Sequence, residues 1–312
     1  KFMTNEFTAI IPAAGKGVRL LPYTANMPKT MISVAGKPIL GHILDQVEGL
    51  DIKKVVFIVG YKKEAIVEFV RSQYPHLQVC FVEQAEPKGL GHAIYLAKPY
   101  VTGPCFILLG DTIVDGDLRP LVFGGQNAVG IKPVSDPSRF GIVELKDEKI
   151  LSFEEKPEHP KSNLAIIGAY SFLDSAQLFS ALEEVIRSGK TVKNEIQLTD
   201  ALSVLLARGV TIAPVHLNDW FDCGTVEVLL QTNRLLLDRH QNVPPALEKH
   251  NNIVPPCWIA AGVKAENCVL GPYVSVAYGA QLEGCTLQDV IVGPQTNLHK
   301  KTATHAVLDK FN

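Results

Sequence analysis

The chain has 312 residues, with 32 acidic side chains against 30 Lys and Arg, and a formal net charge of −2 at pH 7. This balance excludes a general electrostatic attraction to nucleic acid or to an anionic membrane surface. With 46% hydrophobic and 20% charged residues, the composition predicts a folded chain with one large domain, or a large domain and a small one.

The cysteine pattern and the hydropathy both favour an intracellular protein. The six cysteines show no C-x-x-C pair and no metal-type spacing, so we expect reduced thiols in the core of a cytoplasmic protein. No apolar segment approaches the roughly 18 residues that a membrane-spanning helix requires. The first residues, 1–5, contain no apolar signal segment. We therefore expect no membrane partner.

The first organised stretch, residues 8–38, predicts a strand followed by an anion-binding loop. An apolar run ends at Pro12 and is followed by the small-residue turn Ala13-Ala14-Gly15-Lys16-Gly17, then by cations at Arg19, Lys29 and Lys37. Residues 7–44 contain no Asp or Glu. Glycine lets backbone N–H groups approach phosphate oxygens, and the cations neutralise the remaining charge.

Two familiar glycine-rich fingerprints do not fit this stretch. A P-loop requires Ser or Thr after its Lys, but Pro38 follows Lys37, and a dinucleotide fingerprint requires a third Gly where Leu20 stands. On these grounds a phosphate-binding turn and a plain strand-to-helix turn are equally good interpretations.

Alternating strands and helices follow. Apolar runs predict strands over 54–60, 77–82 and 105–109, and helical spacing predicts helices over 62–73 and 90–98. This alternation indicates a mostly parallel α/β sheet, whose ligands lie at the carboxyl ends of the strands. The turn after the first strand, Gln84 and Asp111 should therefore lie along one rim.

After Asp111 the strands become shorter, and a different pattern closes the chain. Strands are predicted over 128–134, 140–146, 151–155, 164–172 and 210–217, and helices over 175–188, 195–208 and 226–239. The Pro-bearing stretch 242–256 predicts a linker. We expect a domain over 1–241, this linker, and a small domain over 257–312.

The small domain contains a six-residue repeat. Small or apolar residues recur at Cys268, Val274, Ala280, Thr286, Val292 and Leu298, and a second series contains Leu270, Val276 and Leu282. This is the hexapeptide pattern of a β-helix, and at three hexapeptides per coil it predicts about two coils. An ordinary small sheet is the alternative. Because so short a stack leaves its ends open, we expect it to pack on the larger domain or in a homo-oligomer.

The stretch G-K-G-V-R-L-L-P-Y-T-A-N-M-P-K-T-M-I-S-V-A-G-K-P-I (15–39) resembles the signature of the sugar-1-phosphate nucleotidyltransferases. The resemblance implies a Rossmann-like, mostly parallel sheet domain followed here by a short left-handed β-helix. It also implies that the turn wraps nucleotide phosphates, with Ala13, Ala14, Gly15, Gly17, Arg19 and Lys29 at the binding positions. Val18 and Ser33 depart from the usual Thr or Ser and Pro, but neither change removes a charge.

Further motifs carry the resemblance to about residue 240. G-D-T and W-F-D-C-G-T resemble the family's metal-binding motifs, which assigns a shared Mg²⁺ to Asp111 and Asp222. An Asp at a strand end is otherwise usually a turn former. V-E-Q-A-E-P-K-G-L-G-H-A resembles the base-recognition segment and assigns that role to Gln84 and Gly89. His92 is expected to be structural.

A third group of motifs resembles the sugar side of the family's site. F-G-I-V-E-L, S-F-E-E-K-P and S-N-L-A-I-I-G assign sugar and sugar-phosphate binding to Gly141, Glu155, Lys156 and Ile166. Phe140 stands where many members have Tyr. N-E-I-Q-L-T-D (194–200) also matches a family motif, for which ordering a helix is the expected role.

The resemblance implies Mg²⁺-dependent transfer of a nucleotidyl group from UTP or dTTP to a hexose 1-phosphate, with glucose 1-phosphate the expected acceptor. The alternatives are the same chemistry with GTP and mannose 1-phosphate, or a non-catalytic protein that binds sugar nucleotides. Acyl transfer on the β-helix is disfavoured by the expectation of only two coils, and a dinucleotide-binding oxidoreductase by the missing third Gly.

Overall fold

The computed structural model of the chain describes residues 7–310. The expected absence of a signal segment over residues 1–5 lies outside this range. The strands are β1 Thr8–Pro12, β2 Ser33–Val34, β3 Lys37–Pro38, β4 Lys54–Val59, β5 Gln78–Glu83, β6 Cys105–Leu108, β7 Thr112–Asp115, β8 Ala128–Pro133, β9 Gly141–Lys146, β10 Lys149–Glu155, β11 Leu164–Phe172, β12 Ala213–His216, β13 Asp219–Asp222, β14 Asn252–Ile253, β15 Cys257–Ile259, β16 Lys264–Glu266, β17 Val269–Leu270, β18 Val274–Val276, β19 Gln281–Glu283, β20 Thr286–Val292, β21 Asn297–His299 and β22 Thr302–Leu308.

The helices are α1 Ile39–Gly49, α2 Lys63–Gln73, α3 Leu90–Leu96, α4 Arg119–Phe123, α5 Ser175–Ser188, α6 Leu198–Ala207, α7 Val226–Arg239 and α8 Pro245–Glu248. The main predicted elements are confirmed within a few residues. Helix α1 and several short elements were not predicted: β2, β3, β7, β13, α4 and α8. Of the helices described over residues 7–310, none combines the length and the apolar character needed to cross a membrane.

The chain forms two compact units, each built from separate parts of the sequence. The first contains the described residues up to Gly15 and residues 43–220, and the second contains residues 16–42 and the chain from Phe221 onward. The expected division into 1–241, 242–256 and 257–312 cuts the chain differently and stays a prediction.

The first unit is a mixed sheet with a parallel core. Its strand order is β10-β9-β11-β6-β1-β4-β5, and β6, β1, β4 and β5 pair in parallel. On the other side of β6 the pairing becomes antiparallel through β11. Helices α3, α5 and α6 contribute Ile94, Leu182 and Leu202 to a hydrophobic cluster that also contains Ile10 and Ile107 of the sheet. Burying both faces explains why these strands are continuous apolar runs.

The carboxyl ends of the parallel strands lie along one rim, as the alternation predicts. The Ala13 amide donates to Ile58 O at 2.7 Å, and the Gly110 amide donates to Pro12 O at 3.0 Å. The Gln84 amide donates to Val59 O at 2.8 Å. These backbone hydrogen bonds continue the strand ladders into the following turns, so the turn after β1, Gln84 and Asp111 share one edge of the sheet.

The second unit contains a β-helix, which confirms the fold expected of the repeat. Three ladders of parallel strands stack coil on coil: β14-β17-β20-β22, β15-β18-β20-β22 and β16-β19-β21. Inward side chains form a hydrophobic core of their own, in which Leu270, Val276 and Leu282 are buried. The second apolar series of the sequence is therefore confirmed.

The predicted coil length was wrong. Ile253, Leu270, Leu287 and Ala303 occupy successive rungs, in steps of 17, 17 and 16 residues instead of 18. There are three coils and the start of a fourth instead of about two. The first rung, β14, lies in the stretch predicted to be a linker. Because the coils are shorter than 18 residues, a strict six-residue spacing loses register with them. Thr286, which that spacing places in the interior of the coil, is therefore exposed.

The corners explain the shortening. Each coil turns at single residues with positive φ, in the three columns Gly262/Gly279/Gln295, Asn267/Gly284/Lys300 and Tyr273/Asp289/His305. A left-handed residue changes the chain direction within a very short corner, so a coil needs fewer residues than three full hexapeptides. Asn and Gly tolerate this conformation readily, but the other corner residues bear a strain that the packed coil must offset.

Candidate active site

The small-residue turn at the end of β1 lies on the rim of the first unit. Ala13 is buried, Ala14 is half-buried and Gly15 is exposed. Gly60, at the end of the neighbouring β4, lies against Ala14, since a Cβ at Gly60 would be 3.0 Å from Ala14 O. A Cβ built on Gly15 would meet no atom within 4 Å. The turn therefore presents its backbone to open space, as a phosphate-binding turn must.

The remaining signature residues belong to the second unit. Among them, Gly17 occupies a position where both the backbone conformation and the packing require glycine. Its φ is +65°, and a Cβ there would lie 2.8 Å from Lys29 Cβ and 3.0 Å from Thr24 Cγ2. The Thr24 hydroxyl donates to Gly17 O at 2.8 Å. A side chain at Gly17 would therefore displace the stem of Lys29, so this glycine sets the position of a predicted phosphate ligand.

Arg19 and Lys29 meet at one carboxylate. Lys29 Nζ lies 3.2 Å from Asp222 Oδ1 and Arg19 Nη2 lies 3.9 Å from Asp222 Oδ2. Gly224 lies beneath the guanidinium, because a Cβ there would be 2.5 Å from Arg19 Nη2. The structure thus brings together three predicted catalytic residues from two distant motifs. Two cations at a single carboxylate leave an excess of positive charge for an incoming phosphate.

The two cations differ in exposure. Lys29 is 6% exposed, whereas the Arg19 side chain is 60% exposed. A buried ammonium loses hydration and requires a charged partner, so Lys29 is fixed by Asp222. The exposed guanidinium of Arg19 keeps its conformational freedom and can follow a substrate.

Asp111 lies on the rim of the first unit, directly after β6. Its carboxylate is half-buried, and the Thr112 hydroxyl lies 3.4 Å from Asp111 Oδ1. The nearby Asp117 instead bonds Arg119 on the surface, and Asp219 pairs with Lys132 at 2.6 Å. Among residues 7–310, no group of three or more His, Cys, Asp or Glu side chains forms a metal-binding cluster.

Gln84 is buried at 9% exposure, and its amide nitrogen is used internally. Nε2 donates to Gly89 O at 3.2 Å and lies 3.0 Å from His92 Nδ1. Burial, and next the charge of Lys88, lower the pKa of His92, so the ring is neutral at neutral pH and Nδ1 can accept. This pairing turns the Gln84 carbonyl oxygen away from these two partners.

Packing requires a glycine at position 89, and this requirement is separate from the predicted role of Gly89. Its φ is +99°, and a Cβ would lie 2.6 Å from Ile196 O. The Gly91 amide also donates to Ile196 O, at 2.9 Å. Gly89 therefore lets the N-E-I-Q stretch approach the loop that follows β5.

The predicted sugar-side residues form one cluster in the first unit. A Cβ on Gly141 would lie 3.1 Å from Glu155 Oε2 and 3.4 Å from Ile166 Cδ1. Lys156 Nζ lies 3.5 Å from Glu155 Oε1, and Lys156 has a φ of +43°. Beside them the rings of Phe140 and Trp220 pack edge-to-face at 5.4 Å.

Thr199 is the residue that the sequence interpretation missed. It lies in N-E-I-Q-L-T-D, at the start of α6, and its hydroxyl donates to Glu155 Oε2 at 2.7 Å. Its Cγ2 would also contact a Cβ on Gly141, at 2.9 Å. The side chain is buried at 5% exposure, so this hydrogen bond fixes the Glu155 carboxylate. The family motif itself was the available signal.

The rim of the first unit carries the small-residue turn, Gln84 and Asp111, and the second unit carries Arg19 and Lys29 paired with Asp222. Taken separately, a glycine-containing turn and a pair of cations are both features that suit phosphate groups. The family model described as "Nucleotidyl transferase" matches residues 8–239, and the chain belongs to this family. The resemblance seen in the motifs is confirmed.

Three proteins show what kinds of known protein the chain is similar to. The chain is 41% identical over 233 residues to the bifunctional protein GlmU of Methanocaldococcus jannaschii, covering 74% of this chain and 54% of the relative. It is 31% identical over 303 residues to a glucose-1-phosphate thymidylyltransferase of Streptomyces antibioticus, covering 93% and 82%. A solved UDP-glucose pyrophosphorylase in complex with UDP-glucose aligns with a TM-score of 0.66 at 25% identity, covering 75% and 99%. The chain thus spans about half the length of the GlmU relative.

Proposed function

We propose that the protein transfers a nucleotidyl group from UTP or dTTP to a hexose 1-phosphate, with glucose 1-phosphate the first acceptor to test. The products would be an NDP-sugar and pyrophosphate. The observation that carries the proposal is the gathering of Arg19 and Lys29 at Asp222, within the residues that the family model matches.

In this proposal the chemistry is an in-line displacement. A phosphate oxygen of the sugar phosphate attacks the α-phosphorus of the NTP, and pyrophosphate leaves with the electron pair of the broken P–O bond. The chain supplies positioning and charge neutralisation, without a covalent intermediate. Arg19 and Lys29 bind nucleotide phosphates, as do the backbone amides of Ala14 and Gly15, and Lys156 binds the sugar phosphate. The Ala13 amide is already paired with Ile58 O, so Ala13 contributes as part of the turn.

Mg²⁺ is proposed as the cofactor, with Asp111 and Asp222 as its protein ligands. Carboxylate oxygens are the hard donors that Mg²⁺ takes, and it typically uses one or two of them together with substrate phosphates. The Asp222 side chain, 38% exposed, is accessible to such an ion. When bound, the ion would neutralise charge on the leaving phosphates. The pairing of Asp222 with Lys29 and Arg19 holds the carboxylate in place.

The base preference follows from the hydrogen bonds of Gln84. Its carbonyl oxygen is an acceptor, because Nε2 is paired with Gly89 and His92. Uracil and thymine present an N3–H donor to such an acceptor, whereas cytosine and adenine present a ring-nitrogen acceptor at the matching position. A buried acceptor left unpaired discriminates strongly, but the methyl group of thymine is worth only about 1–3 kcal/mol. Overlapping use of UTP and dTTP is therefore expected.

The relatives agree with this range of substrates and widen it. One relative is named a glucose-1-phosphate thymidylyltransferase, one solved structure is a UDP-glucose pyrophosphorylase, and GlmU is named a bifunctional protein, which indicates a second activity in that relative. The match covers 54% of the GlmU relative, so the proposal for this chain is limited to nucleotidyl transfer. The expectation against acyl transfer rested on two coils, and the three observed coils remove that ground.

The proposal is tested by a panel of UTP, dTTP, CTP, ATP and GTP with glucose, mannose and hexosamine 1-phosphates, with pyrophosphate release as the readout. The expected result is Mg²⁺-dependent release with UTP and dTTP, and much weaker release with ATP and CTP. Clear preference for ATP or for CTP would contradict the role of Gln84. Nucleotide binding without release for any pair would favour the non-catalytic alternative. Homo-oligomer formation and cytoplasmic location stay predictions.

A further inference from the structure

Residues 16–42, which carry Arg19 and Lys29, have little secondary structure of their own. Within the second unit, two short 3₁₀ turns and the two-residue strands β2 and β3 are their regular elements before α1. Such a segment cannot fix the position of a buried Lys by its own hydrogen bonds. It is held instead by groups that lie more than 190 residues further along the chain.

The first anchor is Tyr23, whose hydroxyl donates to Val307 O in the last rung of the β-helix at 3.1 Å. Tyr23 also lines a small apolar cavity with Ile32 of the segment and Ile291 of β20. The next residue, Thr24, bonds Gly17 O. The anchor at Tyr23 is thus connected directly to the turn that packs on Lys29.

The second anchor is the β2-β3 hairpin, which follows Lys29. Ala35 has a φ of +42°, and its amide donates to Asn233 Oδ1 at 2.9 Å. Asn233, on α7, is fully buried and donates from Nδ2 to Tyr273 O in the β-helix at 3.4 Å. Gly36 lies against the Trp258 indole, since a Cβ there would be 2.2 Å from Trp258 Cδ2.

Helix α7 joins these anchors to the predicted site. It begins just after Asp222 and runs along the β-helix corner column that contains Tyr273, Asp289 and His305. Arg234 donates from Nε to Asp289 Oδ1 at 2.8 Å, and Glu227 lies 2.7 Å from His305 Nε2. The amide that holds the hairpin therefore lies on an element fixed to the coil, and the carboxylate that holds Lys29 lies at the end of β13, just before that element.

We propose that Tyr23 and Asn233 are positioning residues for the nucleotide, and that the β-helix takes part in nucleotide binding by holding residues 16–42. Two anchors, one on each side of Lys29 in the chain, fix the path of the segment. The inference rests on the proposed function, because it assigns nucleotide phosphates to Arg19 and Lys29. It adds a role in the reaction to a region that the sequence interpretation treated as architectural.

The test compares Tyr23→Phe and Asn233→Ala with Asn251→Ala in the full chain. Asn251 is a matched control, because its side chain bonds Leu247 O, Ala265 O and the Cys268 amide within the first coil and α8, away from residues 16–42. The readouts are the KM for UTP and for glucose 1-phosphate, the Kd for UTP by calorimetry, amide hydrogen exchange over residues 16–42, and the melting temperature.

Tyr23→Phe loses the hydrogen bond to Val307 O, and Asn233→Ala loses those with the Ala35 amide and Tyr273 O. Each variant should raise the UTP KM and Kd on the order of two- to tenfold. Exchange over 16–42 should become faster, and the glucose 1-phosphate KM should change much less. Asn251→Ala should lower the melting temperature and leave the UTP constants unchanged. Tyr23→Phe keeps the ring and decides the question if Asn233→Ala does not fold.

Two results would overturn the inference but not the proposed function. One is a Tyr23→Phe variant whose KM and Kd for UTP equal those of an active wild-type protein. The other is a loss of UTP affinity in Asn251→Ala that is as large as in Tyr23→Phe. A wild-type protein that binds no NTP would overturn both the inference and the proposed function.

Discussion

The rim of the first unit and the segment 16–42 of the second carry different parts of the predicted chemistry and are held in different ways. On the rim, Gln84 and Asp111 take their places from strand order, since each follows a parallel strand of one sheet. In the segment, Lys29 takes its place from single contacts with Gly17 and Asp222.

The difference predicts how each region responds to mutation. A rim residue is positioned by a whole sheet, so removing its side chain should remove its chemistry and little else. A segment residue is positioned by a few hydrogen bonds, so losing a remote partner should change substrate binding as well. The following variants test this contrast.

The largest effect is expected from the two carboxylates. Asp111→Asn and Asp222→Asn should each lower turnover at least about a hundredfold, because each removes a ligand charge from the proposed metal site. The measurement is kcat for pyrophosphate release at saturating Mg²⁺, with circular dichroism to check folding. Asp117→Asn is the matched control, since Asp117 is exposed and pairs with Arg119. Near-normal turnover in both site variants would remove the metal assignment.

The next effect separates the two lysines by substrate. Lys29→Ala should raise mainly the KM for the NTP, and Lys156→Ala mainly the KM for the sugar phosphate, each by about tenfold or more, because each removes one charged partner. Initial rates with one substrate varied at a time measure the split. Equal changes in both KM values for Lys156→Ala would move this residue to the nucleotide side.

A smaller effect is expected at Thr199. Thr199→Val keeps the shape of the side chain but removes the hydrogen bond to Glu155, so the sugar-phosphate KM should rise about two- to tenfold. The NTP KM should stay close to wild type. Ser203→Ala, which removes a hydroxyl from the same helix that bonds backbone carbonyls, is the control. Equal changes in the sugar-phosphate KM of Thr199→Val and Ser203→Ala would disprove the role of Thr199 in fixing Glu155.

The smallest effect concerns pH and the contact between α7 and the β-helix. Hydrogen bonds to Asp289 and Glu227 raise the pKa of His305. A His with a raised folded pKa stabilises the fold fully below its unfolded pKa of about 6.5, and the contribution is lost as pH rises through the folded value.

The carboxylates of this cluster act in the opposite direction. The hydrogen bond from His305 lowers the pKa of Glu227. Burial would raise that of Asp289, but hydrogen bonds from Arg234 and His305 outweigh it, and its pKa is lowered. Their contribution is present above the unfolded values, near about 4, and is lost as pH falls.

The cluster should therefore stabilise most between about pH 4.5 and 6.5. Melting temperatures of wild type and His305→Asn from pH 4 to 9 should differ most in this window and converge as the pH rises through the folded pKa of His305. His250→Asn, at an exposed position, serves as the control. A difference that does not vary with pH would contradict the account.

The hydrophobic periodicity and the composition of the sequence were enough to predict the parallel part of the sheet. Strands buried on both faces have continuous apolar runs, such as Val55–Val59. Periodicity and composition could not give the coil length, since one left-handed corner residue shifts the register without changing the apolar character of the repeat. They could not place Asn233 against Ala35 or Thr199 against Glu155 either. Those pairs are 198 and 44 residues apart in the chain, and only the fold brings them together.

The most direct test of the central claim follows the products by ³¹P NMR in one mixture of the protein, Mg²⁺, UTP and glucose 1-phosphate. The account predicts that UDP-glucose and pyrophosphate appear in equal amounts, and that adding pyrophosphate to UDP-glucose regenerates UTP and glucose 1-phosphate. The same experiment with dTTP should give dTDP-glucose. Orthophosphate as the main product, or unchanged substrates with all the nucleotides and sugar phosphates of the panel, would contradict nucleotidyl transfer.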